Sequence, residues 1–195
     1  GVVICYNSEL VIKDLYQRID KENFDKIYFF DDNSTDNSYE IAKKFDWFVV
    51  KNKTNLGHGG NLKKAVETAF LDGADYVLEI HADNQYNPNL ITKAKDLIDQ
   101  DYELITGSRF INKNPHKEEG MHFLRYFSNI VRSNVTRKIL SIELTEFHTG
   151  VKIFGRNFYN KVRFANCCNN HLFYLQLILM PVFLNLQYDN IIFST

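Results

Sequence analysis

Short apolar runs rich in β-branched and aromatic residues alternate with helix-forming stretches as far as Gly107. The predicted strands are Val2–Tyr6, Lys26–Phe30, Phe48–Lys51, Tyr76–Ile80 and about Glu103–Gly107. The predicted helices are Ser8–Ile19, a helix that Ser34, Thr35 or Asp36 can cap and that runs to about Phe45, Leu62–Leu71, and about Pro88 to Ile98. Strands separated by helices pair in parallel, because each helix returns the chain to the same end of the sheet. The sequence therefore predicts an α/β, Rossmann-like fold, in which a mostly parallel sheet carries helices on both faces.

The pattern is less regular after Ser108. We expect, in chain order, a loop, a long amphipathic helix within Met121–Leu140, a strand near Gly150–Phe154, a helix near Arg156–Arg163, an apolar helix near Leu172–Leu184 and a strand near Gln187–Phe193. The apolar helix is too short to span a bilayer. Because the first and last residues lie within strand patterns, the sequence is consistent with a domain cut from a longer protein.

Composition excludes several classes of function. The formal net charge of −1 provides no basic field, so we expect no nucleic-acid partner. The cysteines Cys5, Cys167 and Cys168 lack the CxxC spacing of a zinc site, and adjacent cysteines rarely form a disulfide. Free thiols favour a reducing compartment, so we expect a cytoplasmic protein.

Three polar loops follow predicted strands, at Asp31–Asp36, Asn55–Asn61 and His81–Gln85. In an open α/β sheet, ligands bind outside the carboxyl ends of the strands. Since all three loops fall at that edge, we expect them to border one crevice.

The last of these loops contains a carboxylate and a carboxamide two residues apart, Asp83 and Gln85. Such a pair can hold one Mg²⁺ or Mn²⁺ ion when a diphosphate supplies further oxygen ligands. The alternative is a polar loop in which Asp83 only caps the next turn.

The glycine-rich loop Asn55–Asn61 opens a predicted helix. It is not a Walker A loop, because no Gly-Lys-Ser/Thr follows, and it lacks the position and spacing of a dinucleotide fingerprint. Exposed amides at a helix start suit an anion. A tight helix start that binds nothing is the alternative.

These motifs, together with Tyr6-Asn7, the DDNSTD run, NLGHGGN, HADNQYNP and Gly107-Ser108-Arg109-Phe110, resemble family 2 glycosyltransferases of the GT-A fold. The resemblance covers Val2 to about Phe158, and within the family it is greatest to the dolichol- or polyprenyl-phosphate mannose and glucose synthases. It implies a single GT-A catalytic domain over residues 1–195. Residues 1–110 would form its nucleotide-sugar-binding half and residues 111–195 its acceptor-binding half.

The resemblance implies a set of nucleotide contacts, made by Tyr6, Asn7, Asp31, Asp32, Gly57, Gly59, Asn61 and Ala82. Asp32, with Asp31 beside it, would accept hydrogen bonds from the base, and Tyr6 would line the base pocket. The glycine loop would pass close to the nucleotide. Capping of the next helix is the alternative role for the two aspartates.

The resemblance also implies a metal and phosphate site. His81-Ala82-Asp83 stands where the family has Asp-x-Asp, so the first carboxylate is missing. Asp83 and Gln85 would then hold Mg²⁺ or Mn²⁺. His81 could be a metal ligand, a phosphate contact or a hydrogen-bonded strand end, and we favour the last two. Arg109 would bind the diphosphate or the acceptor phosphate, with a surface arginine as the alternative.

The acceptor side is assigned in the same way. Arg125, Ser128 and Asn129 would bind a lipid phosphate, and the basic amphipathic helix that contains them could lie on an anionic membrane surface. The alternative is an ordinary helix packed on the sheet. Glu146 and His148 are general-base candidates, although an anionic phosphate acceptor needs no base. Lys152 stands where an arginine is common near the sugar.

The resemblance therefore implies an inverting, metal-dependent hexosyltransferase, cytoplasmic or at the cytoplasmic face of a membrane. Its donor would be a UDP- or GDP-sugar, with UDP favoured, and its acceptor a polyprenyl phosphate. A saccharide hydroxyl acceptor and an inactive nucleotide-sugar-binding paralogue are the alternatives, the latter because of His81. A nucleotidyltransferase is disfavoured, because Tyr6-Asn7-Ser8 is not a glycine-rich loop.

Overall fold

The computed structural model describes residues 1–111, 122–147, 149–170 and 172–192, apart from the side chain of Arg125. Within these residues, the strands are β1 Val2–Cys5, β2 Tyr28–Asp31, β3 Phe48–Lys51, β4 Tyr76–His81, β5 Leu104–Ser108, β6 Lys152–Gly155 and β7 Tyr188–Ile192. They form one sheet in the order β3-β2-β1-β4-β6-β5-β7. Only β6 runs antiparallel to its neighbours among the described strands, so the prediction of a mostly parallel sheet is confirmed.

The described α-helices are α1 Ile12–Arg18, α2 Ser38–Ala42, α3 Gly57–Leu71, α4 Lys95–Asp99, α5 Phe123–Leu140, α6 Arg156–Lys161 and α7 Leu172–Leu184. Short 3-10 turns occupy Lys21–Asn23, Leu90–Ala94 and Phe164–Asn166. The alternation of β1 to β5 with α1 to α4 follows the predicted order.

Two apolar cores form because successive side chains of a strand point to opposite faces of the sheet. Phe30 of β2 and Phe154 of β6 face α3, α6 and α7, where they contact Phe158 and Phe173. Phe29 and Ile153, one residue before each, face α1, α2 and α4. Helices therefore cover both faces, as the sequence predicts.

Several boundaries differ from the predicted ones. Helix α3 begins at Gly57 rather than Leu62, so the glycine-rich loop is itself the first turn of the helix. The predicted helix from Pro88 begins as a 3-10 turn, because the Asn89 side chain is bonded to the end of α1: its Oδ1 accepts from the Asp20 amide at 2.8 Å and its Nδ2 donates to the Arg18 carbonyl at 2.8 Å.

Helix α5 presents apolar side chains to solvent. Phe123, Phe127, Val131, Val135 and Ile139 are all more than two-fifths exposed. Within the described ranges, no helix combines the length and the apolar character needed to cross a bilayer.

The start of α3 is held against the segment before α7. The amides of Gly59 and Gly60 donate to the Asn169 carbonyl, at 2.8 and 3.3 Å. A Cβ on Gly59 would lie 2.9 Å from that carbonyl oxygen and from the Cβ of Phe173. Glycine is required at position 59 because two backbones approach there, one from each half of the chain.

Gly59→Ala should lower the free energy of unfolding by about 1–3 kcal/mol. The added methyl group would press on the backbone of Asn169, which cannot move away easily because its carbonyl is hydrogen-bonded. The gain in helix propensity, about 1 kcal/mol, opposes this cost. Urea unfolding measures the difference, and Glu67→Ala, at an exposed position of the same helix, is the control. A Gly59→Ala protein as stable as the control would contradict the close approach.

Candidate active site

A cavity of about 280 Å³ opens at the carboxyl ends of β1, β2 and β4. We call it the Asp32 cavity. It is lined by Ile4, Cys5, Tyr6, Ser8, Asp32, Asn55, Gly57, His58, Asn61, His81, Ala82 and Asp83. All three polar loops of the sequence contribute, so the structure brings them to a single crevice.

Asp32 is fixed in this cavity by buried hydrogen bonds. Its Oδ1 accepts from Asn52 Nδ2 at 3.0 Å and from the Leu56 amide at 2.8 Å. Asn52 Nδ2 also donates to Asn61 Oδ1 at 2.9 Å, and Asn61 Nδ2 donates to the Phe30 carbonyl at 2.9 Å. The carboxylate therefore has a fixed orientation, and no described residue donates to its Oδ2.

The residues predicted beside Asp32 divide into two groups. Tyr6 lines the cavity and is 53% exposed, so its ring is available to a ligand. Asn7 instead joins two loops, because its Oδ1 accepts from the Thr35 amide at 2.9 Å.

Asp31 does not line the cavity. Its side chain is fully buried, and its Oδ2 accepts from the Ser34 amide at 3.0 Å. Asp31 thus holds the loop that follows β2, and its predicted nucleotide contact stays a prediction.

The glycine-rich turn lies at the cavity only in part. Gly57, with a φ of 75°, and Asn61 line the cavity, but the amides of Gly59 and Gly60 are bonded to Asn169. These two amides are therefore already occupied in this structure, and the nucleotide contact of Gly59 stays a prediction. Ala82 lines the cavity at the end of β4.

A second cavity, of about 740 Å³, adjoins the first. We call it the Tyr86 cavity. It is lined by His58, His81, Asp83, Gln85, Tyr86, Phe147, Thr149, Gly150, Asn170, Leu172, Tyr174 and Leu175. His58, His81 and Asp83 border both cavities. The exposed carboxylate of Asp83 therefore lies where the two cavities meet, whereas Gln85 borders only the second.

A metal ion fits the position of Asp83. Its Oδ1 accepts from the Gln85 amide at 3.1 Å, which orients the carboxylate. The side chain is exposed, so a hydrated cation can reach it. The Gln85 side chain is also exposed, and the predicted pair can contribute one ligand each.

Arg109 and Glu146 form a buried ion pair. The Arg109 amide donates to Glu146 Oε2 at 2.8 Å, Nε donates to Oε1 at 3.1 Å, and the terminal guanidinium nitrogen also bonds Oε1. Their side chains are 11% and 3% exposed. Neither residue borders the two cavities. In this structure each charge neutralises the other, and the roles of Arg109 in phosphate binding and of Glu146 as a general base stay predictions.

Lys152 is fully buried in β6, and its contact with an acceptor stays a prediction. Its Nζ donates to the Thr149 carbonyl at 2.5 Å and lies 3.6 Å from the centre of the Tyr174 ring. Burial lowers the pKa of Lys152 to about 8, although the negative charges of Glu79 and Glu146 raise it in part.

Of the remaining acceptor candidates, the structure describes the side chains of Ser128 and Asn129. Ser128 is exposed and Asn129 half-buried on α5, and neither borders the Asp32 or the Tyr86 cavity. The side chain of Arg125 and all of His148 lie outside the described residues.

The sequence interpretation missed Glu79. It is a carboxylate inside an apolar strand, and that anomaly was the available signal. Its Oε1 lies 3.5 Å from His58 Nε2 and 3.0 Å from His81 Nε2, and Tyr174 Oη donates to it. Burial opposes its ionisation, but hydrogen bonds from His58 and His81 and the charge of Lys152 hold the pKa of Glu79 well below its usual range. Burial would lower the pKa of His81, yet its hydrogen bond with Glu79 raises it.

The sequence is similar to those of known proteins. A sequence model described as Glycosyl transferase family 2 matches residues 2–163. The chain is 26% identical over 174 residues to the UDP-N-acetylglucosamine--dolichyl-phosphate N-acetylglucosaminyltransferase of Methanococcus voltae, covering 80% of this chain and 68% of the relative. It is 28% identical over 155 residues to an uncharacterised protein of Methanocaldococcus jannaschii, covering 79% of this chain and 63% of that one.

The fold is also found in solved structures. Glucosyl-3-phosphoglycerate synthase of Mycobacterium tuberculosis, in complex with Mn²⁺, UDP and phosphoglyceric acid, superimposes with a TM-score of 0.72. The match has 14% sequence identity and covers 98% of this chain and 66% of that protein. At this identity the likeness concerns the fold, and it confirms the predicted GT-A architecture.

Glu146→Gln should lower the free energy of unfolding by about 3 kcal/mol, because it removes the carboxylate charge that the buried Arg109 guanidinium bonds. The double variant Arg109→Met, Glu146→Met should recover part of this loss, since no buried charge remains. Urea unfolding of Arg109→Met, Glu146→Met and the double variant forms a double-mutant cycle.

Glu40→Gln is the matched control. It breaks an exposed pair in which Glu40 Oε2 lies 3.3 Å from Lys43 Nζ, and its cost should stay below about 0.5 kcal/mol. Purely additive costs at positions 109 and 146 would contradict the ion pair.

Proposed function

The chain belongs to glycosyltransferase family 2, and we propose that it transfers a sugar, with inversion, from a nucleoside diphosphate sugar to a polyprenyl phosphate or a similar acceptor. The observation that supports this most is the meeting of two cavities at Asp83. The polar Asp32 cavity suits a nucleotide, and the larger Tyr86 cavity suits an acceptor. A sugar transferred from the nucleotide to the acceptor would move from one cavity to the other at the residues that line both.

The donor proposal depends on Tyr6 and Asp32. Tyr6 lines the cavity and is 53% exposed, so its ring can stack on a base. The oriented carboxylate of Asp32 can accept the imide N–H of uracil or the N–H groups of guanine. We favour a UDP-sugar over a GDP-sugar, because the Methanococcus voltae relative is named for UDP-N-acetylglucosamine and the mycobacterial synthase was solved with UDP.

A divalent ion, Mg²⁺ or Mn²⁺, held by Asp83 and Gln85 would neutralise the negative charge on the leaving diphosphate. The protein contributes by positioning the metal ligand Asp83 at the junction of the two cavities. The Asx-type bond from the Gln85 amide to Asp83 keeps the carboxylate there before any ligand arrives.

Transfer is a single displacement. An oxygen of the acceptor forms a bond to the anomeric carbon as the bond from that carbon to the diphosphate breaks, and the electron pair leaves with the nucleoside diphosphate. Attack from the opposite face inverts the configuration. Positioning of the two reactants between the cavities is the main contribution of the protein.

The ion pair of Glu146 favours a phosphate acceptor over a saccharide hydroxyl. A hydroxyl acceptor needs a base to take its proton, whereas a phosphate is already anionic. Glu146 is 2% exposed and both of its oxygens accept hydrogen bonds from Arg109, so it is poorly placed to act as that base. The exposed side chains of Leu172 and Leu175 at the border of the Tyr86 cavity suit an apolar chain.

The activity test is incubation of the purified protein with UDP-N-acetylglucosamine, UDP-glucose or GDP-mannose, with Mn²⁺ and polyprenyl phosphate in detergent. Mass spectrometry should detect a lipid-linked sugar with one UDP-sugar. Product only with a saccharide acceptor would support the hydroxyl alternative, and donor binding without any product would support the inactive paralogue.

Tyr6→Ala should weaken UDP binding roughly tenfold, or about 1.4 kcal/mol, because it removes the exposed ring from the cavity. Thermal unfolding at increasing UDP concentrations measures this, since a ligand at 100 times its dissociation constant stabilises a protein by about 2.7 kcal/mol. Asp83→Ala should abolish transfer while metal-free UDP binding persists.

Leu10→Ala is the matched control for Tyr6. Leu10 is 90% exposed, lies four residues away and does not line the Asp32 cavity. Equal UDP affinities of Tyr6→Ala and Leu10→Ala would contradict the assignment of the cavity.

A lipid acceptor would be presented at a membrane, and α5 is the surface we propose to lie on it. The helix exposes the apolar stripe Phe123, Phe127, Val131, Val135 and Ile139, and its sequence contains four basic residues and no acidic ones. Anionic lipid head groups complement this charge, and the stripe can enter the acyl boundary.

Phe127→Ser and Val131→Ser should each weaken binding to phosphatidylglycerol vesicles about tenfold, because a large apolar side chain contributes roughly 1.5–3 kcal/mol on burial. Co-sedimentation measures the affinity, with phosphatidylcholine vesicles as the neutral reference. Leu71→Ser, at a residue that is 78% exposed outside α5, is the control. A wild-type protein that forms a dimer through α5 and does not bind the vesicles would contradict the proposal.

A further inference from the structure

Four side chains converge where β4 meets α3 and α7. Glu79 and His81 lie two residues apart on β4, so they point to the same face of the sheet. His58 reaches them from the first turn of α3 and Tyr174 from α7. The ligand atoms of His58, Glu79 and His81 all lie within 4.8 Å of one another.

The acceptor capacity of Glu79 is not used up. Oε1 is shared by His58, His81 and Tyr174, whereas Oε2 is buried and accepts no hydrogen bond from the described residues. A buried carboxylate oxygen without a partner is costly. It marks a position where a cation would be stabilised.

Two of the three spacings between the ligand atoms match a tetrahedral metal site. Bonds of about 2.0–2.1 Å from zinc to nitrogen and oxygen put neighbouring ligand atoms roughly 3.3 Å apart. Glu79 Oε1 lies 3.0 Å from His81 Nε2 and 3.5 Å from His58 Nε2, on either side of that value. A bound metal would replace the Tyr174 hydroxyl, which bonds His58 Nε2 and Glu79 Oε1 and lies 3.3 Å from His81 Nε2.

We propose that His58, Glu79 and His81 bind a transition-metal ion of the Zn²⁺ or Co²⁺ class, with one coordination position open to the cavities. Two imidazoles and a carboxylate suit such ions, whereas Mg²⁺ prefers six oxygen ligands. Both histidines border the Asp32 and the Tyr86 cavities, so the open position can take water or a ligand oxygen. Binding of the ion needs no substrate and does not depend on the proposed function. Only a role of the bound ion in sugar transfer would rest on the proposed function.

Lys152 competes with the metal. The Lys152 ammonium lies over the Tyr174 ring and is attracted to Glu79, so a second cation beside Glu79 must displace part of that interaction.

The test uses protein that has been stripped of metal by a chelator and contains no nucleotide. Co²⁺ is added and the visible absorption of its d–d bands is followed, with Zn²⁺ measured by competition against a coloured chelator. One equivalent should bind, with the strong bands of a tetrahedral site, and Mg²⁺ should not displace it.

His58→Asn is the main variant, because His58 lies at a helix start and its side chain is 23% exposed, so the fold should survive. It should lose at least tenfold in Co²⁺ affinity, and Glu79→Gln should lose at least as much. His122→Asn, at an exposed histidine before α5, is the matched control and should bind like wild type. Circular dichroism checks that each variant is folded.

Asp83→Ala separates this site from the proposed diphosphate-linked site and should retain Co²⁺. Failure of wild type to bind, equal binding by wild type and His58→Asn, or loss of Co²⁺ in Asp83→Ala alone would overturn the proposal. Thermal stabilisation by UDP in metal-free buffer is measured in parallel. If Co²⁺ binds and UDP does not, the metal site stands while the proposed function fails.

Discussion

The candidate site depends on one hydrogen-bond network in which Asn52 bridges Asp32 and Asn61. Asp32 follows β2, Asn52 follows β3 and Asn61 belongs to α3, so three elements are held together at one point. At one end of the network, Asn61 donates a hydrogen bond to the Phe30 carbonyl. At the other end, the Lys64 ammonium donates to Asn52 Oδ1 at 2.8 Å. Buried polar groups are costly unless each is paired, and pairing here gives the Asp32 carboxylate a single orientation. A preformed acceptor of this kind lowers the entropy cost of binding a ligand.

A second principle of the structure is that buried charges occur beside their partners. Arg109 neutralises Glu146, and Lys152 lies close enough to Glu79 to help keep it ionised. None of these four residues lines either cavity. The residues that remain available to a ligand are fewer than the sequence motifs suggest, with Tyr6, Asp32 and Asp83 foremost among them.

Much of the fold could be predicted, because strand and helix periods are local properties of the chain. The order from β1 to β5 and the convergence of Asp32 with Asp83 both follow from the rule that parallel strands end at one edge. Pairings between distant residues could not be predicted in this way. Nothing local to Arg109 indicates that Glu146 will bind it, and nothing near Gly59 indicates Asn169. Glu79 was visible as a charged residue in an apolar strand, but its partner His58 comes from another element.

The antiparallel strand β6 has a consequence for synthesis of the protein. In the finished sheet β5 has only β6 and β7 as neighbours, and both are translated after it. While the nascent chain leaves the ribosome, β1 to β4 can already pair, whereas β5 has to wait with both edges unpaired until Lys152–Gly155 emerges. An unpaired apolar strand is prone to associate with other chains. A pause in translation between β5 and β6 should therefore promote aggregation more than a pause anywhere earlier.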